Sequence, residues 1–153
     1  MQISSRFTIA VHIFACIDTF EKDQKITSDF LSASINVNPV IIRKILSSLK
    51  KSGLINVLRG TGGTTIAKPL DQITLLDIFQ SVECLEDGKL FHFHENPNAN
   101  CPVGKNIHSI LDDKLLRVQK AMENELASIT LEDVINDTRY MDYYFQKNIL
   151  IVL

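Results

Sequence analysis

Apolar residues recur every three or four positions over three stretches in the first half of the chain, and this spacing predicts amphipathic helices. The first stretch covers residues 4–20 and has an apolar face formed by Ile3, Phe7, Ala10, Phe14 and Ile17. A second helix begins after Thr27 and ends near Ser34. The third begins near residue 38, where Asn38 can accept from the first-turn amides and Pro39 suits the first helical position. Two helices joined by a short turn predict a helix-turn-helix.

The third helix has one apolar face and one basic face. Its apolar stripe is Ile42, Ile45, Leu46 and Leu49, and its outward positions are Arg43, Lys44, Ser47, Lys50 and Lys51. After Gly53, strands are predicted at 54–58 and 64–67, joined by the tip Arg59-Gly60-Thr61-Gly62-Gly63. A basic helix followed by an arginine-bearing hairpin predicts a winged helix-turn-helix, whose helix enters the major groove and whose wing contacts the backbone or the minor groove. A structural hairpin beside an ordinary amphipathic helix is the alternative.

The second half of the chain alternates between helical patterns and one long loop. Thr74 and Asp77 have the spacing of a capping box for a helix at 74–83. Periodicity is then lost until a helix at 104–128, whose near-heptad seam is Ile107, Leu111, Leu115, Val118, Met122, Leu126 and Ile129. A seam of this length predicts a dimerisation helix, and packing of the helix back onto its own domain is the alternative. A short helix from Thr130 to near Asn136 is expected to pack across the partner.

The predicted fold is mostly α with a small β wing. We expect a winged helix-turn-helix DNA-binding domain at 1–83, a sensing or regulatory loop at 84–106, and a dimerisation helix with a C-terminal extension at 107–153. The chain has 153 residues, of which 45% are hydrophobic, so it can bury a core of this size. No apolar run is long enough to cross a bilayer and charges interrupt the N-terminus, so we expect a cytoplasmic protein with no membrane partner.

Charge divides the chain into two unlike parts. Residues 1–69 hold nine Lys and Arg against four Asp and Glu, whereas residues 70–153 hold seven against fourteen, consistent with the net charge of −2. A basic first half and an acidic second half favour a DNA-reading module joined to an oligomerising or sensing module. The three cysteines are too few and too scattered for a disulfide framework.

Several motifs together resemble the Rrf-two family of bacterial winged-helix regulators. The wing RGTGG, the following IAKP and the helix ITLLDIFQSVE are similar to that family's RGxGGGY wing and ITLxDIxxAVE helix. Asn38-Pro39-Val40 and the loop at 96–104, which reads NPNxNCPVG, match one branch, and the likeness covers roughly residues 1–130. The resemblance implies a homodimeric transcription regulator, commonly a repressor that senses redox state, nitric oxide, sulfur metabolites or an iron-sulfur cluster.

Two departures from the family pattern prevent a transfer of base preference. Thr64 and Thr65 replace the usual Gly and Tyr of the wing, and Arg43 stands where many members place a Glu. Arg43 can bridge guanine O6 and N7, and Val40 can contact a thymine methyl group. Lys44 and the wing tip are better suited to phosphate. The candidate DNA contacts are Asn38, Val40, Arg43, Lys44, Ser47, Arg59, Thr61, Gly62 and Gly63.

The loop after Cys84 has three possible interpretations. Cluster-bearing relatives hold three closely spaced cysteines there, but this chain has only Cys84 and Cys101, so the usual iron-sulfur site is absent. In the first interpretation Cys101 is a redox thiol, activated by the start of the following helix. In the second, Cys84, His92, His94 and Cys101 hold zinc or an atypical cluster. In the third, the loop is structural or forms a small-molecule pocket.

These observations favour a dimeric, sequence-specific DNA-binding regulator, with a repressor responding to redox stress or a related small signal through Cys101 as the leading hypothesis. A metal-binding regulator and a winged-helix protein-interaction module are the alternatives. An enzyme is not expected. Cys101 and a histidine could pair as nucleophile and base, but the sequence has no third orienting group and no nucleophile elbow.

Overall fold

A computed structural model gives the fold and describes residues 4–58, 62–83 and 88–152. Its elements are α1 (Ser5–Phe20), α2 (Ser28–Ile35), α3 (Pro39–Lys51), β1 (Ile55–Val57), β2 (Thr64–Ile66), a 3-10 turn (Leu70–Gln72), α4 (Leu75–Val82), α5 (Pro102–Ser128) and α6 (Leu131–Val152). The strands pair antiparallel, with Ile55 opposite Ile66 and Val57 opposite Thr64. The prediction of a mostly helical protein with a small β wing is confirmed.

Local side-chain caps explain where most helices begin. Ser4 Oγ accepts from the Arg6 amide at 3.2 Å, and Asn38 Oδ1 accepts from the Val40 amide at 2.8 Å. The Thr74 hydroxyl and the Asp77 carboxylate exchange hydrogen bonds with each other's backbone in a capping box. These bonds satisfy first-turn amides that have no partner inside the helix. The predicted starts of α1, α3 and α4 are therefore confirmed.

The turn between α2 and α3 depends on one left-handed residue. Asn36 has φ 58° and ψ 48°, a conformation that asparagine tolerates better than most residues. The Ser32 hydroxyl then donates to the Val37 carbonyl at 2.6 Å, and the Val37 amide donates back to the Ser32 carbonyl at 3.2 Å. This reciprocal pair closes the turn and sets the direction in which α3 leaves α2.

One apolar core holds α1 to α4 and the root of the hairpin together. Phe14, Ile42, Leu49 and Ile78 are all fully buried in it. The Thr64 amide donates to the Ile26 carbonyl at 3.0 Å, which ties β2 to the segment before α2. The end of the hairpin next to its tip is therefore fixed to the segment that leads into α2, the helix that precedes α3.

The C-terminal helix differs from the sequence-based expectation. The short helix predicted to end near Asn136 is wrong in length, because α6 continues to Val152. Its packing also differs, since Leu131 and Ile135 are at most 1% exposed and belong to the core of their own chain. Arg139 makes a two-pronged ion pair with Asp18 of α1, at 2.8 and 3.2 Å. No helix in the described ranges is long and apolar enough to cross a membrane.

Candidate nucleic-acid interface and regulatory loop

The buried stripe of α3 determines which of its side chains face outward. Ile42, Ile45, Leu46 and Leu49 are at most 8% exposed and hold the helix against the core. The opposite face is exposed and carries Val40, Arg43, Lys44, Ser47, Lys50 and Lys51. Helical spacing thus brings the predicted contacts of α3 onto one basic surface. Asn38 lies at the edge of this surface, where its side chain caps the helix.

A cleft of about 390 Å³ separates α3 from the wing. Its walls come from the beginning of α2, from α3 and from the part of the hairpin next to its tip, and include Thr27, Ser28, Arg43, Ser47, Lys50, Leu58, Gly62 and Gly63. Gly62 and Gly63 have φ values of 63° and 144°, which only glycine adopts readily. The cleft therefore combines cationic side chains with closely approachable backbone, a combination suited to a phosphate chain.

Arg43 has partners that the sequence did not reveal. Its Nη2 donates to Asp29 Oδ1 and its Nε to Ser28 Oγ, both at 3.4 Å. The side chains of Arg43 and Asp29 are 58% and 81% exposed, so this ion pair contributes at most about 1 kcal/mol to stability. The sequence feature that could have indicated this pair is Asp29, an acidic residue in the first turn of α2. The helix-turn-helix places that turn beside the second turn of α3.

Some predicted site residues lie outside the described residues. They are Arg59 and Thr61 of the wing tip and Cys84 at the start of the loop. Their assignments stay predictions.

The segment 96–104 is folded onto the first turn of α5. Asn96 has φ 58°, and the Asn98 side chain accepts from the Asn100 amide at 2.9 Å. The Asn98 carbonyl accepts from the Cys101 amide at 3.1 Å, and Pro102 opens the helix. A Cβ at Gly104 would lie 2.5 Å from the Asn98 oxygen, so only glycine permits this approach. The NPNxNCPVG pattern thus encodes a tight turn into a helix.

Cys101 is the N-cap residue of α5 and is partly exposed. The backbone N–H of Gly104, followed by that of Val103, lowers the pKa of the Cys101 thiol below its usual value, with a smaller opposing effect of desolvation. Among the described residues, the Cys101 Sγ atom makes no side-chain capping hydrogen bond. The two N–H groups therefore lower the pKa as nearby dipoles. A lower pKa increases the thiolate fraction at neutral pH, and the thiolate is the reactive form.

Gly104→Ala is expected to slow alkylation of Cys101 at neutral pH. The added methyl group would collide with the Asn98 carbonyl and move the turn away from the first-turn amides. The rate of iodoacetamide labelling against pH measures this in a Cys84→Ser background. The pH at the midpoint of the labelling curve should lie below that of an unfolded cysteine peptide for the native protein, and it should rise in Gly104→Ala.

Ala99→Ser, an exposed change in the same loop, is the control and should leave this midpoint unchanged. Equal midpoints for native protein and Gly104→Ala would contradict the role given to the turn.

The hypothesis of a metal site formed by Cys84, His92, His94 and Cys101 stays a prediction, because Cys84 lies outside the described residues. Among them, no three His, Cys, Asp or Glu side chains are grouped so that they could hold a metal ion. His94 stacks on His108 with ring centroids 6.3 Å apart, and Phe93 lies 4.6 Å from the same ring. Cys16 is buried in α1 beside Ser34, at 3.5 Å, and is not part of the loop. The donor set does not fit a cluster held by three closely spaced cysteines.

The basic helix, the wing and the cleft between them define a winged helix-turn-helix DNA-binding protein. The sequence model of the Rrf2 family, described as "Iron-dependent Transcriptional regulator", matches residues 3–137. The chain belongs to the Rrf2 (Rrf-two) family. It is a DNA-binding transcriptional regulator, and the expectation that it is not an enzyme is confirmed by this membership.

Relatives agree with this assignment. YwnA of Bacillus subtilis (strain 168), named as an HTH-type transcriptional regulator, is 42% identical over 134 residues, which are 88% of this chain and 97% of YwnA. A protein whose crystal structure is described as that of a DNA-binding protein is 37% identical, with a TM-score of 0.70 over 86% of this chain and 99% of its own. Oxidized CymR of Staphylococcus aureus has the same fold at 19% identity, with a TM-score of 0.64 over 88% and 96% of the two chains.

Proposed function

We propose that the protein is a homodimeric, sequence-specific repressor that acts in a bacterial cytoplasm and loses operator affinity when Cys101 is oxidised. The observation that carries the proposal is the placement of Cys101. It lies in the turn that joins the loop to α5, and α5 in turn contacts α4 of the DNA-binding domain. A change at this thiol can therefore alter the orientation of α5.

The pairing of two copies is supported by the surface of α5. This helix has 27 residues, about 40 Å in length, and none of them is fully buried within the single chain. Most seam residues are half-buried, so one side of α5 already packs against its own chain. Large apolar side chains remain exposed, namely Val103 at 65%, Ile110 at 46%, Leu116 at 50% and Val118 at 53%. Covering them from water favours association with a second copy.

A symmetric dimer presents two copies of α3 to DNA. Such a pair reads two half-sites about one helical turn apart, and their spacing depends on how the two subunits are joined. In each copy, α3 would enter the major groove with Arg43 and Val40 toward base edges. Asn38, Lys44, Ser47 and the wing residues Arg59, Thr61, Gly62 and Gly63 would face the backbone.

The regulatory step is oxidation of the Cys101 thiolate. Its sulfur attacks one oxygen of a peroxide, the O–O bond breaks, and the products are a sulfenic acid and water or hydroxide. The new group is larger and no longer anionic, so it loses the attraction of the Gly104 and Val103 amides. The turn then fits the first turn of α5 less well. A change in the direction of α5 alters the distance between the two α3 helices.

A metal-binding regulator is the second candidate, favoured by the iron-dependent description of the family. It would use Cys84, His92, His94 and Cys101 to hold zinc or an atypical cluster. Cys84→Ser separates the two candidates. The variant should respond to peroxide like the native protein if Cys101 acts alone, and it should lose its metal if the four residues form a site.

Binding to DNA fragments that flank the protein's own gene tests the proposal. Fluorescence anisotropy would compare reduced, peroxide-treated and chelated samples, with metal content assayed on the same preparation. We expect affinity to fall at least about tenfold on oxidation of the native protein and to be unchanged in Cys101→Ser. Binding should also weaken steeply with salt, as phosphate contacts require.

Three other outcomes would contradict parts of the proposal. Equal responses of native protein and Cys101→Ser would exclude the thiol switch. Loss of binding on chelation, with stoichiometric zinc or iron in the sample, would favour the metal-binding regulator. Absence of specific, salt-sensitive binding in every state would favour a winged-helix protein-interaction module.

A further inference from the structure

Two side chains at the beginning of α2 hold the guanidinium group of Arg43. Ser28 Oγ accepts from Nε and Asp29 Oδ1 accepts from Nη2, each at 3.4 Å. Both acceptors lie in the first turn of α2, whose N-cap Thr27 accepts from the Phe30 amide at 3.1 Å. Arg43 itself lies in the second turn of α3. The contact therefore spans the two helices of the helix-turn-helix.

The geometry of the guanidinium group determines which of its donors remain available. Arginine has five N–H donors in one plane, and four of them form two parallel pairs, one along a side edge and one along the end edge. Nε and the outer Nη2 proton form the side edge, which points toward Ser28 and Asp29. The end edge, formed by Nη1 and the second Nη2 proton, takes part in neither of these bonds. This end edge can donate two parallel hydrogen bonds, as required for guanine O6 and N7.

We infer that Ser28 and Asp29 are positioning residues that turn the end edge of Arg43 toward one guanine in each half-site. The inference rests on the proposed function, because it needs α3 to lie in the major groove. A long, exposed arginine without such support would sample many rotamers and would contact phosphates and bases alike. Two hydrogen bonds to one edge favour the rotamers in which the end edge forms one directed pair of donors.

A role in stability does not explain this contact. The two ionic side chains are 58% and 81% exposed, and exposed pairs contribute little to folding. Asp29 also places a negative charge beside the cleft that Ser28, Arg43 and Lys50 line. A carboxylate there repels phosphate and weakens binding to every DNA sequence. Its presence is therefore better explained by selectivity, obtained at some cost in overall affinity.

Selection from a library of randomised duplexes, sequenced before and after binding, tests the inference. The variants are Arg43→Ala, Asp29→Ala and the conservative Asp29→Asn, whose amide oxygen can still accept from Nη2. Asp71→Ala is the matched control, because Asp71 is an exposed acid of the same domain, whereas the acidic partner of Arg43 is Asp29. Thermal unfolding of each variant confirms that the domain is folded.

We expect the native protein to select a guanine that Arg43→Ala no longer selects. Asp29→Ala should reduce discrimination at that one position by up to about fivefold, as expected for the loss of an exposed ion pair, while binding random DNA as tightly as native protein or more tightly. Asp29→Asn should retain part of the preference, and Asp71→Ala all of it. An unchanged preference in Asp29→Ala, or a preference that declines equally at all positions, would overturn the inference.

The same selection separates this inference from the proposed function. If the native protein selects a defined sequence and Arg43→Ala selects the same one, the regulator stands and only the guanine assignment fails. If the native protein selects no sequence at all, the sequence-specific regulator fails and the assignment fails with it.

Discussion

The double variant Ile110→Glu/Val118→Glu is expected to be monomeric and to bind its operator at least about a hundredfold more weakly than the native protein. Linking two binding modules raises affinity by roughly 10²–10⁴ without any new contact, and a monomer loses this gain. Sedimentation equilibrium gives the oligomeric state, and anisotropy with a full operator gives the affinity. The affinity of the variant for DNA that contains a single half-site should fall far less than its affinity for the full operator.

The expected loss follows from where these two side chains lie. Ile110 and Val118 are 46% and 53% exposed in the single chain, so glutamates there need not disturb its fold. Buried in a pairing surface, the same carboxylates would be transferred from water without partners, which costs several kcal/mol each. The added charges therefore act on association and leave the isolated subunit intact.

A second double variant provides the control for added charge. Ser109→Glu/Asn124→Glu places two carboxylates at polar, exposed positions of the same helix. It should remain dimeric and keep operator affinity within a few fold of native. If Ile110→Glu/Val118→Glu remains a dimer as well, the exposed apolar side chains of α5 are not the pairing surface.

The second large effect is expected in the core. Leu131→Ala/Ile135→Ala should destabilise the DNA-binding domain by about 2–5 kcal/mol for each side chain removed. Native domains of this size are stable by roughly 5–15 kcal/mol in total, so the double variant should be largely unfolded near 37 °C. Leu131 is 0% and Ile135 1% exposed, in one cluster with Phe14 and Ile17 of α1. Urea unfolding followed by circular dichroism measures the loss.

Exposed residues of the same helix supply the matched control. Tyr140 and Met141 are 63% and 56% exposed, and their replacement by alanine should change stability by no more than about 0.5 kcal/mol.

Truncation should also distinguish the buried first turns of α6 from its exposed remainder. A chain ending at Asp137 should fold, whereas one ending at Ser128 lacks both core residues and should not. If Leu131→Ala/Ile135→Ala unfolds cooperatively at the same urea concentration as the native protein, the two side chains of α6 do not contribute to the stability of the domain.

Local sequence patterns predicted the elements of the DNA-binding domain closely. Ser4, Asn38 and Thr74 cap their helices as expected, because a cap needs only a side chain and an amide two or three residues away. The inward stripe of α3 was equally readable, since helical periodicity alone places Ile42 and Leu49 on one face. The basic face, and with it the candidate DNA interface, followed from the same periodicity.

Contacts between distant segments were not readable in this way. Asp29 and Arg43 are fourteen positions apart, and Asp18 and Arg139 are 121 positions apart. Pairs of opposite charge are common in any sequence, so charge alone does not identify partners. The length of α6 was missed because its second half carries aromatic residues without a clear apolar stripe. Helix propagation from the Thr130 cap continues through them to Val152.

The sequence by itself determined the class of this protein, because caps, periodicity and a glycine-rich wing are local and survive without knowledge of distant neighbours. Only the tertiary structure decided that Leu131 and Ile135 complete the core of the DNA-binding domain. It also decided that the exposed side chain of Arg43 donates hydrogen bonds to Ser28 and Asp29. Both depend on the angles at which helices pack, and those angles are set jointly by all the buried side chains.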